Sequence, residues 1–204
     1  MNFDSEAANW DSEKRVKRAK VIAEEISKAL DEKKPCSAME FGCGTGLISF
    51  NLYDGFDNIA LVDTSQGMID ALNSKIKTQK IKNMVAYKLD INEEQKDLEK
   101  FDVIYTSMVL HHILDTERTL KSLYSLLKED GCLCIVDLDE EDGSFHSNYE
   151  NYDGHNGFNQ QELGNMMKHI GFKEVSSKII YRDIKEIDDK KIDYSLFLMK
   201  GIRE

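Results

Sequence analysis

A turn rich in glycine is the part of this 204-residue chain whose residue types and spacing point most directly to chemistry. Residues 40–46 read Glu-Phe-Gly-Cys-Gly-Thr-Gly, between a short apolar run and apolar residues at helical spacing. A turn from strand to helix leaves backbone N–H groups unpaired, and glycines allow a ligand to approach them closely. The segment predicts a ligand-binding turn; the alternative is a tight connection that needs glycine only for its backbone angles.

An acid, Asp63, ends the second predicted strand, 21 residues after Gly42. A carboxylate at that position can accept hydrogen bonds from ribose hydroxyls, which indicates an adenosine-containing ligand. The dinucleotide fingerprint requires glycines at steps of two and then three. Here both steps are two, because Leu47 stands where the third glycine would be. The spacing disfavours an NAD(P)-dependent oxidoreductase, which we keep as an alternative function.

With Glu40 ahead of G-x-G-x-G, the sequence resembles the class I S-adenosylmethionine-dependent methyltransferases, over nearly the whole chain. Within the class it is similar to the small-molecule group that includes ubiquinone-biosynthesis-type enzymes. The other matching positions are Asp63, Asp90, the fourth strand at 101–107, the run Leu-His-His-Ile at 110–113, Gly131, His155, Gly157 and Phe158. The resemblance implies S-adenosylmethionine as the cofactor and a small-molecule methyl acceptor as the partner.

The resemblance also implies which residues hold the cofactor. The glycine turn would pass close to its methionine part, Glu40 would reach its amino group, and Asp63 would bind both ribose hydroxyls. The implied set is Glu40, Gly42, Cys43, Gly44, Gly46, Asp63, Thr64, Met68, Asp90, Ile91, Ser107 and Met108. Two members have another interpretation: Met68 fits the apolar stripe of a helix, and Asp90 with Glu93 forms the pattern of a capping box.

Candidate catalytic residues lie just after the fourth strand and in a later polar segment. Methyl transfer from a sulfonium needs a general base only when the acceptor atom must lose a proton. We predict His111, His146 and Tyr149 for that role, with His112, His155 and Tyr152 as further candidates. Each histidine could instead only shape the pocket, so a non-catalytic, cofactor-binding regulatory protein is a second alternative.

Aromatic residues mark segments that could cover the ligands. The segment 139–158 has no sustained period, and a loop of that length is usually functional or mobile. Its aromatic residues, Phe145, Tyr149, Tyr152 and Phe158, are expected to form a lid over an apolar or aromatic acceptor. Trp10, the only tryptophan, is expected to fold over the cofactor or to lie in a frayed terminus.

The acidic run Asp137, Asp139, Glu140, Glu141 and Asp142 raises the alternative of a magnesium site. The fourth strand ends in Ser107 and Met108, where metal-assisted methyltransferases supply another acid, so we predict no metal. The four cysteines, Cys36, Cys43, Cys132 and Cys134, lack the spacing of a zinc cluster and are expected to be buried thiols in a reducing cytoplasm.

The charge balance limits the classes of partner that we expect the chain to bind. Lys and Arg number 27 against 38 Asp and Glu, a net charge of −11, which disfavours nucleic acid and anionic membranes as partners. The basic run at 14–20 is interpreted as a solvated helix face. With one proline, the chain also lacks the Pro-Pro motif of the methyltransferases that act on amino groups of nucleic-acid bases. We expect a cytoplasmic monomer or homodimer, because neither a signal region nor a membrane span is visible.

The elements that must position these residues alternate between strand and helix. Apolar runs predict strands at 38–41, 59–62, 85–89, 103–105 and 132–138, and helices at 15–30, 47–52 and 116–128. A helix between Asn159 and Gly171 and two strands at 175–181 and 192–199 follow. The pattern predicts a Rossmann-like, doubly wound α/β fold whose seven-stranded sheet is mainly parallel, with the last strand antiparallel and the first helix over the cofactor cleft.

We expect one class I methyltransferase domain over 1–204. Its parts would be an N-terminal helical cap at 1–34, a cofactor-binding core at 35–138, a substrate loop at 139–158 and a C-terminal helix and hairpin at 159–204.

Overall fold

The computed structural model describes residues 3–30, 37–93, 98–150 and 152–204. Seven strands form one sheet in the order β3-β2-β1-β4-β5-β7-β6. β1 to β5 run parallel, and β7 lies antiparallel between β5 and β6. Their bounds are β1 Ser37–Phe41, β2 Asn58–Asp63, β3 Met84–Lys88, β4 Phe101–Ser107, β5 Leu127–Leu138, β6 Phe172–Ile187 and β7 Lys190–Arg203. The predicted seven-stranded, mainly parallel α/β fold is confirmed.

The helices begin at capping residues that the sequence displays. They are α1 Phe3–Glu6, α2 Glu13–Ala29, α3 Gln66–Gln79, α4 Thr116–Leu126 and α5 Gln160–Ile170. The side chains of Ser12, Ser65, Asp115 and Asn159 accept hydrogen bonds from the first turns of the last four. Such bonds satisfy N–H groups that have no partner within the helix. None of the described helices is long and apolar enough to cross a membrane.

The helices bury apolar stripes on both faces of the sheet. Ile22 and Ile26 of α2 pack with Leu72 of α3 on one face. Leu120 of α4 and Met167 of α5 pack on the other. Because both faces are covered, the inner parallel strands β1, β2, β4 and β5 are mostly buried, as their apolar runs predicted, whereas the edge strand β3 is largely exposed.

The helix predicted at 47–52 is wrong. That stretch forms two short 3₁₀ turns, Ser49–Asn51 and Tyr53–Gly55. The side chain of Asn83 donates to the carbonyl oxygens of Tyr53 and Phe56, at 2.8 and 2.9 Å, in place of a following helical turn. Asp54 and Gly55 are poor helix formers, so local propensity and this cross-element contact both end the helix early.

Candidate active site

The glycine turn and Asp63 meet where β1 and β2 end side by side. The pairing of Phe41 with Val62 places both carboxyl ends at one edge of the sheet. The backbone N–H of Gly44 donates to Asp63 Oδ2 at 2.7 Å, and the N–H of Ser65 donates to Asp63 Oδ1 at 2.9 Å. Burial raises the pKa of Asp63 above its usual value, although these backbone bonds act in the opposite direction.

All three glycines of the turn adopt left-handed backbone angles, and Gly42 and Gly44 differ in what surrounds them. A Cβ atom at Gly42 (φ 68°) would lie 2.4 Å from Val109 Cγ2, so this glycine permits close packing on the segment after β4. A Cβ atom at Gly44 (φ 51°) would instead make only ordinary van der Waals contacts, with Trp10 Nε1 at 3.6 Å and Met68 Sδ at 3.9 Å. All three of these residues line a cavity, so a side chain at Gly44 would lie at its wall.

The cavity beside the glycine turn has a volume of about 450 Å³. Ten of the twelve predicted cofactor residues line it: Glu40, Gly42, Cys43, Gly44, Asp63, Thr64, Met68, Asp90, Ser107 and Met108. Gly46 and Ile91 are not among its lining residues. Gly46 packs so closely that a Cβ atom would lie 2.7 Å from Leu72 Cδ1, and Ile91 is fully buried in the core.

Asp90 lies in a turn after β3. Its side chain accepts from the N–H of Asn92 at 2.8 Å, and the N–H of Glu93 donates to its carbonyl oxygen at 3.1 Å. Residues 94–97, which would continue a helix from this turn, lie outside the described part of the chain, so the capping-box interpretation stays a prediction. Asp90 is exposed and lines the cavity, and thus its carboxylate is available to a ligand.

Glu40 is a buried acid on the cavity wall. Its Oε2 atom accepts from the Ser49 hydroxyl and from the Ser49 N–H, the latter at 3.2 Å. The Ser49 hydroxyl also lies 2.5 Å from the Tyr105 hydroxyl. Burial raises the pKa of Glu40 to about 8, so the carboxyl is mostly protonated at neutral pH until a positive charge arrives beside it.

The N-terminal segment closes over this cavity. Phe3 and Trp10 line it, and their rings meet edge to face at 5.8 Å. Asp4 ties the segment to the start of α3 by accepting from Ser65 Oγ at 2.6 Å and from the N–H of Gly67 at 2.9 Å. Asp11 accepts from Thr45 and Lys75. Of the two expectations for Trp10, the position over the cavity is the one observed.

The first described long helix contributes charge to the site. Ala19 and Ile22 of α2 line the cavity, which confirms that this helix packs over the cleft. Arg15 and Arg18 line it as well and are half-buried. The interpretation of the basic run as a solvated face is therefore wrong for these arginines.

A second cavity of about 660 Å³ adjoins the first. The predicted catalytic residues His111, His146 and Tyr149 all line it. The residues that line both cavities are Phe3, Trp10, Arg15, Arg18, Met108 and His112. Met108 has a left-handed φ of 59°, which is uncommon for a residue with a Cβ atom and often marks a functional position. The backbone at the end of β4 is thus bent where the two cavities meet.

His111 is held by a carboxylate from the neighbouring strand. His111 Nδ1 lies 2.5 Å from Asp137 Oδ1, and both side chains are buried. The N–H groups of Leu110 and Leu138 donate to Asp137 at 2.9 and 2.7 Å. Burial alone would raise the pKa of Asp137, but His111 and the Leu138 N–H together lower it below the usual value. An ionised Asp137 fixes the orientation of the imidazole and leaves its Nε2 atom free.

Three imidazoles cluster around this point. His111, His112 and His146 each offer a ring nitrogen within 4.8 Å of the others. Burial, followed by the charge of His111, lowers the pKa of His112 to about 3 and that of His146 to about 4. Neutral imidazoles can ligate a transition metal or accept a proton. His146 Nδ1 is buried without a hydrogen-bond partner among the described residues, so it too is available.

The acidic run does not form a cluster of carboxylates. Asp137 contacts His111, Asp139 accepts from Ser195 and Gln160, and Glu141 accepts from the N–H of Phe145 at 2.9 Å. Each of these carboxylates therefore has its own protein partner.

The segment 139–158 supplies only part of the predicted lid. Phe145 and Tyr149 line the second cavity. Tyr152 stacks on His146, with ring centroids 3.9 Å apart, and donates to the carbonyl oxygen of His111 at 2.8 Å. Phe158 is buried in the core, and His155 lies 2.9 Å from the carbonyl oxygen of Ile113. His155 and Phe158 hold the segment in place, and they and Tyr152 line neither cavity.

Three of the predicted thiols are described. Cys43, Cys132 and Cys134 are buried and are not joined in disulfides among the described residues, and Cys36 lies outside those residues. Burial raises the pKa of the Cys43 thiol well above its usual value, so this cavity-lining thiol is neutral and is not a nucleophile.

A family model described as a methyltransferase domain matches residues 14–177. The chain belongs to the methyltransferase family. The resemblance seen in the sequence is thereby confirmed, and the match decides against the oxidoreductase alternative. Among curated relatives, an uncharacterized methyltransferase of Schizosaccharomyces pombe is 33% identical over 151 residues, which are 67% of this chain and 53% of that protein.

A ubiquinone biosynthesis O-methyltransferase of Pelagibacter ubique is 30% identical over 107 residues, 52% of this chain and 44% of that protein. This methyltransferase chain spans about half the length of the curated relatives it matches. Solved methyltransferases share its fold. A SAM-dependent methyltransferase from Aquifex aeolicus has a TM-score of 0.70 at 16% identity and covers 98% of each chain. The N-methyltransferase NodS of Bradyrhizobium japonicum, in complex with S-adenosylhomocysteine, has a TM-score of 0.70 at 13% identity and covers 100% and 99%.

Several site residues of this methyltransferase were missed by sequence reasoning. Arg15 and Arg18 belonged to a basic run that was interpreted as a whole as a solvated face. Their spacing of three places them on one face of a helix, and that face also carries Ala19 and Ile22, so the helical period was an available signal. Nothing in the sequence predicted that Asp137 pairs with His111.

Proposed function

We propose that the chain catalyses methyl transfer from S-adenosylmethionine to a small-molecule acceptor. The observation that carries this proposal is the hydrogen bond between the Gly44 N–H and Asp63. Both residues line the first cavity, which adjoins a second cavity. A donor and an acceptor can occupy neighbouring cavities and meet at their junction. The second cavity is open, which favours an enzyme over the non-catalytic alternative.

The residues that line the first cavity suit the proposed cofactor chemically. A side chain at Gly44 would lie beside Trp10 and Met68 at the wall of the cavity. Three carboxylates also line this cavity: Glu40, Asp63 and Asp90. We assign Asp63 to the ribose hydroxyls, Asp90 to the adenine amine and Glu40 to the amino group. Thr64 and Met68 would border the adenine, and Ser107 with Met108 would lie beneath the methionine chain. When bound, S-adenosylmethionine supplies a methyl group already activated by its positively charged sulfur.

The second cavity supplies the group that removes a proton from the acceptor. We assign that role to His111 Nε2, because Asp137 holds the other ring nitrogen. His146 and Tyr149, which line the same cavity, would orient the acceptor. The Phe3 and Trp10 side chains line both cavities and exclude water from the junction.

The identity of the methyl acceptor is a separate point from the type of reaction. Curated relatives include a ubiquinone biosynthesis O-methyltransferase and a phosphoethanolamine N-methyltransferase of Arabidopsis thaliana, 26% identical over 182 residues. By these names, the relatives act on different molecules. The residues of the second cavity must therefore select the acceptor.

Calorimetric titration with S-adenosylmethionine, S-adenosylhomocysteine and NADH tests the proposal. We expect binding of both adenosyl ligands and no binding of NADH. Radiolabelled S-adenosylmethionine incubated with a metabolite extract should then yield a labelled small molecule. Binding of NADH alone would refute the assignment, and cofactor binding without any labelled product would favour the non-catalytic alternative.

A further inference from the structure

The second cavity concentrates positive charge in a chain whose net charge is −11. Arg15, Arg18 and Lys185 line it, and we call these three residues the cationic cluster. Two other lysines of the wall have acidic neighbours. Lys14 forms an ion pair with Asp183 at 3.0 Å, and Lys191 lies opposite Glu186 in the β6–β7 register.

The cationic cluster has no carboxylate partner within 4 Å among the described residues. Arg15 Nη1 donates to the carbonyl oxygen of Trp10 at 3.2 Å, and Lys185 Nζ donates to that of Phe145 at 2.5 Å. The Arg18 guanidinium makes no hydrogen bond or ion pair with any part of the chain that is described. Neutral carbonyl groups therefore satisfy some donors, whereas the acids that act on the cluster, Glu6 and Asp11 on Arg15 and Glu141 on Lys185, do so only from beyond ion-pair distance.

Such an arrangement costs free energy. Burial lowers the pKa of Lys185, and the charges of Arg15 and Arg18 lower it further. Burial and the charge of Arg18 likewise lower the pKa of Arg15. Partly buried like charges repel one another unless an anion lies between them. Glu186 is the one acid that lines this cavity, and it is exposed at the rim.

We propose that the methyl acceptor carries a negatively charged phosphate or carboxylate group, and that the cationic cluster binds it. The proposal rests on the methyltransferase function proposed above. Guanidinium groups bind both kinds of oxyanion through paired hydrogen bonds, and a lysine ammonium adds a mobile point charge. An anion held by the cluster would place the rest of the acceptor in the cavity that His111 and His146 also line.

The carboxylate of the cofactor is the rival ligand for these cations. Arg15 and Arg18 line both cavities, so either could serve the cofactor. Lys185 lines only the second cavity. A substitution of Lys185 therefore separates the two possibilities, since it removes charge from the acceptor side alone.

The experiment compares Lys185→Met with Lys173→Met, an exposed lysine on the same strand that lines neither cavity. Each protein is saturated with S-adenosylhomocysteine, and its melting temperature is measured with added phosphate, malonate or chloride at equal ionic strength. We expect phosphate, malonate or both to stabilise the wild type and Lys173→Met beyond chloride. The midpoint concentration should rise about tenfold in Lys185→Met. The active anion identifies the group.

Equal anion responses in the two variants, or no response beyond chloride in the wild type, would overturn the anionic acceptor. Binding of S-adenosylhomocysteine is measured separately by calorimetry. A wild-type protein that does not bind this ligand would instead overturn the proposed function. As a second readout, a metabolite extract is divided on an anion exchanger. We expect labelled methyl transfer only with the retained fraction; transfer confined to the unretained fraction would also overturn the proposal.

Discussion

His111 Nδ1 lies 2.5 Å from Asp137 Oδ1, although 26 residues separate the two in the chain. β4 and β5 are neighbours in the sheet, with Ser107 paired to Val136, so the turn that follows β4 lies over the end of β5. The buried carboxylate is also anchored by two backbone N–H groups. This pair gives the second cavity an oriented imidazole.

Substitution of His111 should separate chemistry from cofactor binding. For His111→Gln we expect kcat to fall by roughly 10²- to 10⁴-fold, because the acceptor proton loses its base. Affinity for S-adenosylhomocysteine, measured by calorimetry, should stay the same, since His111 does not line the first cavity. Asp137→Asn should reduce kcat in the same direction. Full activity of His111→Gln would show that the acceptor needs no base from this residue.

Asp63 should contribute directly to cofactor affinity. Asp63→Ala removes a charged acceptor, and we expect binding of S-adenosylhomocysteine to weaken by roughly 1–3 kcal/mol. Asp57→Ala serves as a matched control, because this exposed acid lies just before the same strand and lines neither cavity. An unchanged affinity in Asp63→Ala would remove Asp63 from the site.

Glu40 should make the stability of the ligand-free protein depend on pH. Its pKa is about 8 in the folded protein against an ordinary value of 4.5, so between these values the folded state holds a proton that the unfolded state has lost. Stability from this group is complete below pH 4.5 and is lost as the pH rises to about 8, by about 1.4 kcal/mol per pH unit. Denaturant unfolding of the wild type and Glu40→Gln at several pH values isolates the contribution; parallel pH profiles would contradict it.

Trp10 should report cofactor binding by its fluorescence. It is the only tryptophan, it lines the first cavity, and the Arg15 guanidinium lies 3.9 Å from its ring centroid. A ligand in the cavity changes the surroundings of the indole, so we expect its emission to shift during titration with S-adenosylhomocysteine. Trp10→Phe should lose the signal. A flat titration alongside calorimetric binding would place the ligand away from Trp10.

Chelation distinguishes a proton acceptor from a metal ligand at the histidine cluster. If His111 acts as a base, prolonged treatment with EDTA should leave methyl transfer unchanged within about twofold. A carboxylate behind a histidine is also common in metal sites, so the measurement decides between real alternatives. Loss of activity that zinc restores would assign His111, His112 and His146 as ligands.

The sequence alone determined the alternation of elements, the glycine turn and the acid after β2, because these depend on local spacing and backbone conformation. The helix cap at Asn159 was likewise predictable, since its partners lie within three residues. The helix expected at 47–52 was wrong partly because Asn83, far along the chain, donates to the carbonyl oxygen of Tyr53 just after that stretch.

Only the tertiary structure decided which charges face the cavities. Arg15 and Arg18 turn inward while Lys17 and Lys20 of the same helix are exposed, because packing of α2 on the sheet fixes its rotation. The pairing of His111 with Asp137 and the left-handed backbone of Met108 also arise from contacts between strands. Residue types record local preference, whereas the partner of a buried charge is set by the elements that surround it.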